Sequence, residues 1–394
     1  MIRNRWIVLA VLFVARTVMA VQFQSVGSLG PILAGELALD YATIGTLIGL
    51  YMLPGVVIAL PGGVLMQRLG ATTIAFIGLA AMAGGGALMG ASSSFAPMAA
   101  GRAASGTGAV LLNVALTKMT VDWFAGREIV TAMSILIASW PFGIALALVG
   151  FVPLAAAHGW PAVMHVGAAA ALANLVLIAV AYRSPPGAAE NEIAKLELNL
   201  TGREWLLVSL AGAAWGTFNV GYIGLVSFAP GLFAARGYSL GDASRLVSVV
   251  GWVMIVSIPL SGYLAEASRR PHAVTAAGLA LAAVSMALLP AGVAPLAVFG
   301  VVALVIGLPA GPIMALPAQA LRAESRAPGM GVFYTWYYAA MAALPGLAGM
   351  ARDLAGSAAA PVLFAAAMML VALASLLAFL VALRGGTAAA ALAQ

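Results

Sequence analysis

Residues 6–30 read WIVLAVLFVARTVMAVQFQSVGSLG, a run whose one charge is Arg16. A hydrocarbon core about 30 Å thick takes roughly 20 apolar residues to cross at 1.5 Å of helix per residue. This run is long enough. Arg3 and Arg5 before it and Val18-Met19-Ala20 within it imitate a cleavable leader. Arg16 interrupts the apolar core such a leader needs, and the pattern continues beyond it, so the run is read as a retained span. Eleven more follow, at roughly 43–66, 71–91, 96–118, 128–154, 159–182, 204–233, 242–265, 272–290, 295–319, 328–350 and 359–383. None shows the alternation of a membrane β-strand, and a helix satisfies its backbone polar groups internally. The expected fold class is an all-α membrane protein with twelve transmembrane helices.

Composition agrees. The 394 residues are 63% hydrophobic and 8% charged, with a mean hydropathy of +1.08. A soluble domain carries about 25% charged residues, so a water-soluble enzyme and a disordered chain are both excluded. The absence of cysteine removes disulfides, thiolate metal sites and cysteine nucleophiles. The net charge of +6 is explained by its placement. With the N-terminus inside, thirteen of the eighteen basic residues fall on the inner side, Arg3, Arg5, Arg68, Lys118, Arg127, Arg203 and Arg326 among them. Arg236, Arg245 and Arg352 fall outside, and Arg16 and Arg102 within spans. That asymmetry places both termini in the cytoplasm and needs no nucleic-acid partner. The lipid bilayer is the expected surrounding.

The longest polar stretch between spans begins at Arg183-Ser-Pro185-Pro186-Gly187 and carries mixed charges from Glu190 to Lys195. It divides the chain into an expected six-helix bundle at 1–182, a cytoplasmic linker at 183–203 and a second bundle at 204–394. A shift of 199 residues lays Trp6 on Trp205, Ser28 on Ser227, Pro31 on Pro230, Gly63 on Gly262 and Arg127 on Arg326. A parallel repeat of two six-helix halves suits a transporter whose site lies between them.

After the second span runs Gly63-Val-Leu-Met-Gln67-Arg68-Leu-Gly70, and after the eighth Gly262-Tyr-Leu-Ala-Glu266-Ala-Ser-Arg269-Arg270. The first resembles the Gly-x-Leu-x-Asp-Arg-x-Gly loop motif of the major facilitator superfamily. Arg102-Ala-Ala-Ser-Gly106-Thr-Gly108 is similar to that family's fourth-span Arg-x-x-x-Gly-x-Gly. The resemblance implies two pseudo-symmetric six-helix bundles. It also implies gating or coupling roles for Gly63, Arg68, Gly70, Arg102, Arg127, Glu266 and Arg326. Gln67 stands where the family has an acid, which leaves ion pairing there open. The fifth span has Trp140-Pro141-Phe142-Gly143 in place of the Gly-Pro-x-x-Gly-Gly run of drug-exporting relatives. Arg16 followed by Ser25-Val26-Gly27 loosely resembles the cyanate and nitroimidazole porters and other small-anion porters.

The twelve acidic residues all read as loop or span-end positions, so no carboxylate is expected at mid-membrane. His158, His165 and His272 lie near span ends. Neither a catalytic pairing nor a metal cluster can be assembled, and no enzyme activity, metal or cofactor is expected. Arg16 is different. It falls near the midplane, where insertion scales charge about 2.5–3.5 kcal/mol for arginine, with no acid in a span to neutralise it. It reads either as a residue snorkelling onto neighbouring carbonyls or as a cavity residue that binds an anion. Arg102 reads as a clamp on carbonyls of neighbouring helices or as a gating residue. On the stripe Arg102, Gly106, Ala109, Asn113, Thr117, Asn113 can face a cavity. So can Trp215, Asn219 and Tyr222 at i, i+4 and i+7, and Tyr338 within Tyr334-Thr-Trp336-Tyr337-Tyr338. Gln24 lies within about 80° of Arg16 around the helix at 100° per residue and joins the expected substrate-binding set.

The expected function is secondary transport of a small organic or inorganic anion by rocker-switch alternating access, in a monomer of a bacterial-type inner membrane. The alternative is a proton-coupled exporter of drugs or metabolites, and after it a non-transporting membrane sensor.

Overall fold

The computed structural model describes residues 4–124, 128–185, 200–292, 294–322 and 324–392, and among these the regular structure is helical. The first half holds α1 (Arg5–Leu37), α2 (Tyr41–Leu50), α3 (Leu53–Leu69), α4 (Ala71–Gly90), α5 (Phe95–Phe124), α6 (Ile129–His158) and α7 (Trp160–Ala181). The second holds α8 (Gly202–Ala234), α9 (Leu240–Ser268), α10 (Pro271–Leu288), α11 (Pro295–Val305), α12 (Ala310–Met314), α13 (Leu316–Ala320), α14 (Arg326–Ala355) and α15 (Ala360–Leu392). Each span read from the sequence has its helix. The second is broken between α2 and α3, where Pro54 occupies the first turn of α3. The tenth is divided into α11, α12 and α13, with Pro309 and Pro317 at the joints. A proline lacks the N–H that continues a helix.

Ten of these segments are long and apolar enough to cross a membrane on length and composition. The helices α5 and α14 are outside that set because their apolar character is diluted by polar residues. They carry Arg102, Asn113 and Thr117, and Tyr334, Tyr337 and Tyr338.

The halves meet along four helix pairs, α1 with α8, α2 with α14, α3 with α14 and α6 with α9. Small residues bring the backbones together. A Cβ at Gly45 would strike the carbonyl of Pro345, one at Gly49 the carbonyl of Ala342, and one at Gly349 the carbonyl of Tyr41. Gly251 meets Pro141 and Ala145 in the same way. At the end remote from the start of the chain, Asp353 accepts from the Tyr41 and Ala42 amides at 3.1 and 2.7 Å. The Arg352 guanidinium lies 3.6 Å from the centre of the Tyr41 ring. We call this the far end.

At the near end each half is clasped on itself. Arg5 of α1 pairs with Glu128 before α6 at 2.7 Å, and Glu204 of α8 pairs with Arg322 before α14 at 3.0 Å. These are corresponding places in the two halves with the charges exchanged. The expected linker lies mostly outside the described residues.

Candidate functional site

Between the halves lies a cavity of ≈ 290 Å³. Arg16 and Met19 of α1, Tyr51 and Met52 at the break after α2, and Ala109, Asn113 and Thr117 of α5 line it. Met133, Leu136 and Trp140 come from α6 and Met254 from α9. Trp215, Phe218, Asn219 and Tyr222 come from α8, and Tyr334, Tyr337 and Tyr338 from α14. Helical spacing explains how one helix supplies several: Asn113 and Thr117 are one turn apart on α5, and Trp215, Asn219 and Tyr222 follow one stripe of α8.

Arg16 is anchored and not saturated. Its Nε donates to Asn113 Oδ1 at 3.2 Å and its Nη1 to the Leu136 carbonyl at 2.9 Å. Its Nη2 has no hydrogen-bond partner among the described residues. Among the described residues no carboxylate lines the cavity. The guanidinium therefore keeps an uncompensated charge beside three tyrosines, with a planar pair of N–H groups free to meet a ligand.

The second half supplies stacked rings and a polar terminus. Trp215 lies face to face with Phe218 and Phe333, at centroid separations of 5.6 and 6.5 Å. Tyr337 and Tyr338 meet edge to face at 4.9 Å. The Asn219 amide donates to the Trp215 carbonyl at 2.8 Å. Tyr222 is 2% exposed, and its hydroxyl has no partner among the described residues.

Helix register sets the depth of these groups. A Cβ at Gly27 would meet Ser227, and one at Gly231 would approach Pro31. α8 therefore runs beside α1 at an offset of 200 residues, read from both contacts. Arg16 is then level with Gly216, beside Trp215. Tyr222 is six residues further in, about 9 Å at 1.5 Å per residue.

A model of the Major Facilitator Superfamily matches residues 12–345. The chain belongs to the major facilitator superfamily. Two solved structures share the facilitator fold over 98% of both chains, at a TM-score of 0.77. Both are of a bacterial homolog to the human lysosomal transporter Spinster in an inward-facing conformation, one unoccupied at 16% identity and one occupied at 17%. At that identity they speak for the fold alone. No curated protein matches in sequence.

Six of the seven facilitator residues expected to bind substrate line the one cavity: Arg16, Asn113, Trp215, Asn219, Tyr222 and Tyr338. Gln24 does not. It is 1% exposed, and its amide donates to the Val226 carbonyl at 3.4 Å. Its angle around α1 suits the cavity, but it lies eight residues beyond Arg16, where α1 and α8 have closed on each other. Arg102 also lies outside the cavity, 1% exposed. It donates to the carbonyls of Leu47, Gln22 and Phe23 at 2.9, 2.9 and 2.7 Å, and its guanidinium is 4.7 Å from the centre of the Tyr51 ring. This is the carbonyl clamp, tying α5 to α1 and α2 within the first half.

The loop-motif residues gather near the other end. Gly63 is within α3, and Arg68 is exposed in its last turn. Gly70 joins α3 to α4 with a φ of 81°, in the left-handed region where a side chain is strained. Arg326 is exposed at the start of α14. Neither Arg68 nor Arg326 forms an ion pair among the described residues. Glu266 belongs to α9, with its side chain outside the described set, and Arg127 lies wholly outside it.

Sequence reasoning did not reach Met19, Met52, Met133 and Met254, or Tyr51. A methionine at helical spacing reads as core. Trp140 stood inside a stretch noted only for lacking the drug-exporter motif, and Tyr337 inside the aromatic run Tyr334–Tyr338.

Proposed function

We propose that this facilitator carries a small anion across the membrane by alternating access, with Arg16 as the binding cation. The observation that carries the reading is the Arg16 guanidinium, held by Asn113 and the Leu136 carbonyl at the cavity wall, with no carboxylate lining the same cavity. A charge in that setting is best balanced by the cargo. Charge-assisted hydrogen bonds to a planar guanidinium suit a carboxylate or an oxyanion. Asn113, Trp215, Asn219, Tyr222 and Tyr338 complete the binding set.

The hydrogen bonds between the halves, Gln24 with Val226 and Asp353 with Tyr41 and Ala42, lie beyond the cavity from the start of the chain. With both termini in the cytoplasm of a bacterial-type inner membrane, the far end is the closed outer gate and the cavity opens inward. Gly63, Arg68, Gly70, Arg127, Glu266 and Arg326 are gate and coupling residues at the inner end. The working unit is a monomer, with 183–203 joining the bundles of 1–182 and 204–394.

Accumulation of a labelled anion in proteoliposomes tests the reading. Uptake that needs an outward gradient of the same anion, and is lost in Arg16→Gln, supports it. Uptake unchanged in that variant overturns it. The tyrosine, tryptophan and methionine walls favour a second reading, a proton-coupled exporter of amphipathic compounds. No acid among the described lining residues is there to bind the proton, so an imposed pH gradient that drives efflux of a cation would turn the choice that way.

A further inference from the structure

We infer that the cargo is an elongated organic monoanion carrying an aromatic ring and a second polar group at its far end. This rests on the anion reading of Arg16 and sharpens it. Three observations carry it. The first is size. A cavity of ≈ 290 Å³ has room for many waters, so an inorganic oxyanion of a few atoms would leave most of it filled with solvent and most of its walls untouched.

The second is the distribution of charge. Among the described residues Arg16 is the one cationic side chain of the lining, and two of its nitrogens are already committed to protein acceptors. The cavity can neutralise one negative head and has nothing for a second. A dianion would bring in a charge with no partner, at the cost that unpaired burial carries.

The third is what lies deeper. At the level of Arg16 and just beyond it, the wall is made of Trp215, Phe218 and Met19, surfaces that stack on a ring or pack against one. Beyond them Tyr222 lines the cavity, and its hydroxyl is buried with no partner among the described residues. An unpaired buried hydroxyl is unfavourable; this one is closed off from the cavity, and a turn of the Tyr222 side chain would let a ligand oxygen or N–H at that depth satisfy it. The register of α8 against α1 puts this hydroxyl's residue about 9 Å beyond Arg16. A carboxylate, a ring and a terminal hydroxyl in line have that reach.

The test is binding to the purified full-length chain by calorimetry. The probes are 3-(4-hydroxyphenyl)propanoate, its plain analogue 3-phenylpropanoate, the dianion terephthalate, nitrate, and tyramine as the cation of matching shape. The expected order is hydroxylated compound, then plain compound, then the rest. The hydroxyl should add roughly threefold to tenfold in affinity. In Tyr222→Phe the ratio of the two ring compounds should fall to about one, and in Arg16→Gln both should be lost. Nitrate binding as tightly as the ring monoanions overturns the inference and leaves the anion reading standing. A ratio unmoved in Tyr222→Phe overturns the placing of the distal group. Tyramine binding in preference to every anion overturns both readings, and so does binding of none of the five.

Discussion

Arg16 has five N–H groups, and the protein uses one on Nε and one on Nη1. The remaining three are left for a ligand. Arg16→Gln removes the charge and also relieves its burial, so the melting temperature without ligand should hold or rise while anion binding is lost. Charge-assisted hydrogen bonds are worth about 1.5–3 kcal/mol, roughly tenfold to more than a hundredfold in affinity. Arg16→Lys keeps a charge but loses the planar fork, and should recover only part of the loss. Thermal shift and equilibrium binding on the same preparations check both. Wild-type affinity in Arg16→Gln would leave Arg16 a carbonyl anchor and nothing more. This residue was legible in the sequence because a lone charge in an apolar run has few explanations. Gln24 shows the limit of the same reading. Helix angle is fixed by counting, but the depth at which two helices close depends on the contact of Gly27 with Ser227, and that contact joins positions 200 residues apart. The methionines were invisible for another reason, since nothing in their chemistry distinguishes a wall from a core.

Among elements, the two clasps at the near end answer each other. α1 offers a base to an acid before α6, and α8 offers an acid to a base before α14. Glu204 is the more deeply committed, since it also accepts from the Thr201 amide at 2.9 Å and from the Ser325 hydroxyl, closing a capping box on α8. Glu204→Gln should lower the melting temperature of the second half by several degrees and leave ligand affinity unchanged, because the clasp does not line the cavity. Arg5→Gln should do less, as Arg5 and Glu128 are both more exposed than Glu204. Differential scanning of the two variants decides it, and an equal effect would refute the argument from burial. The helices themselves were readable from apolar length, and their ends from residues such as Thr201 and Gly70. The breaks in the second and tenth spans were not. Proline permits a break without requiring one, and whether the chain takes it depends on what packs beside it.

The whole molecule has to open at the far end for the cavity to exchange its contents, if it works by alternating access. What holds that end is particular: Asp353 bonded to two amides at the start of α2, and glycines that let α2 and α14 touch backbone to backbone. A carboxylate at a helix N-terminus is worth about 0.3–1 kcal/mol through the dipole alone, enough to bias two states and too little to lock them. Asp353→Asn should therefore shift the balance toward the state open at the far end without abolishing transport. A covalent lock makes the stronger test, and the absence of cysteine from the sequence gives it a clean background. A Cβ at Gly346 would lie 3.0 Å from Thr46 Oγ1 and 3.8 Å from its Cα, close to the spacing a disulfide bridges. Thr46→Cys with Gly346→Cys, once oxidised, should hold α2 to α14 and stop transport, and a reductant should restore it. Binding to the oxidised protein in detergent should persist, because the cavity lies on the near side of the bridge. Transport that continues through the oxidised pair would mean that the halves do not part at this end, and the access route would have to be sought along α6 and α9.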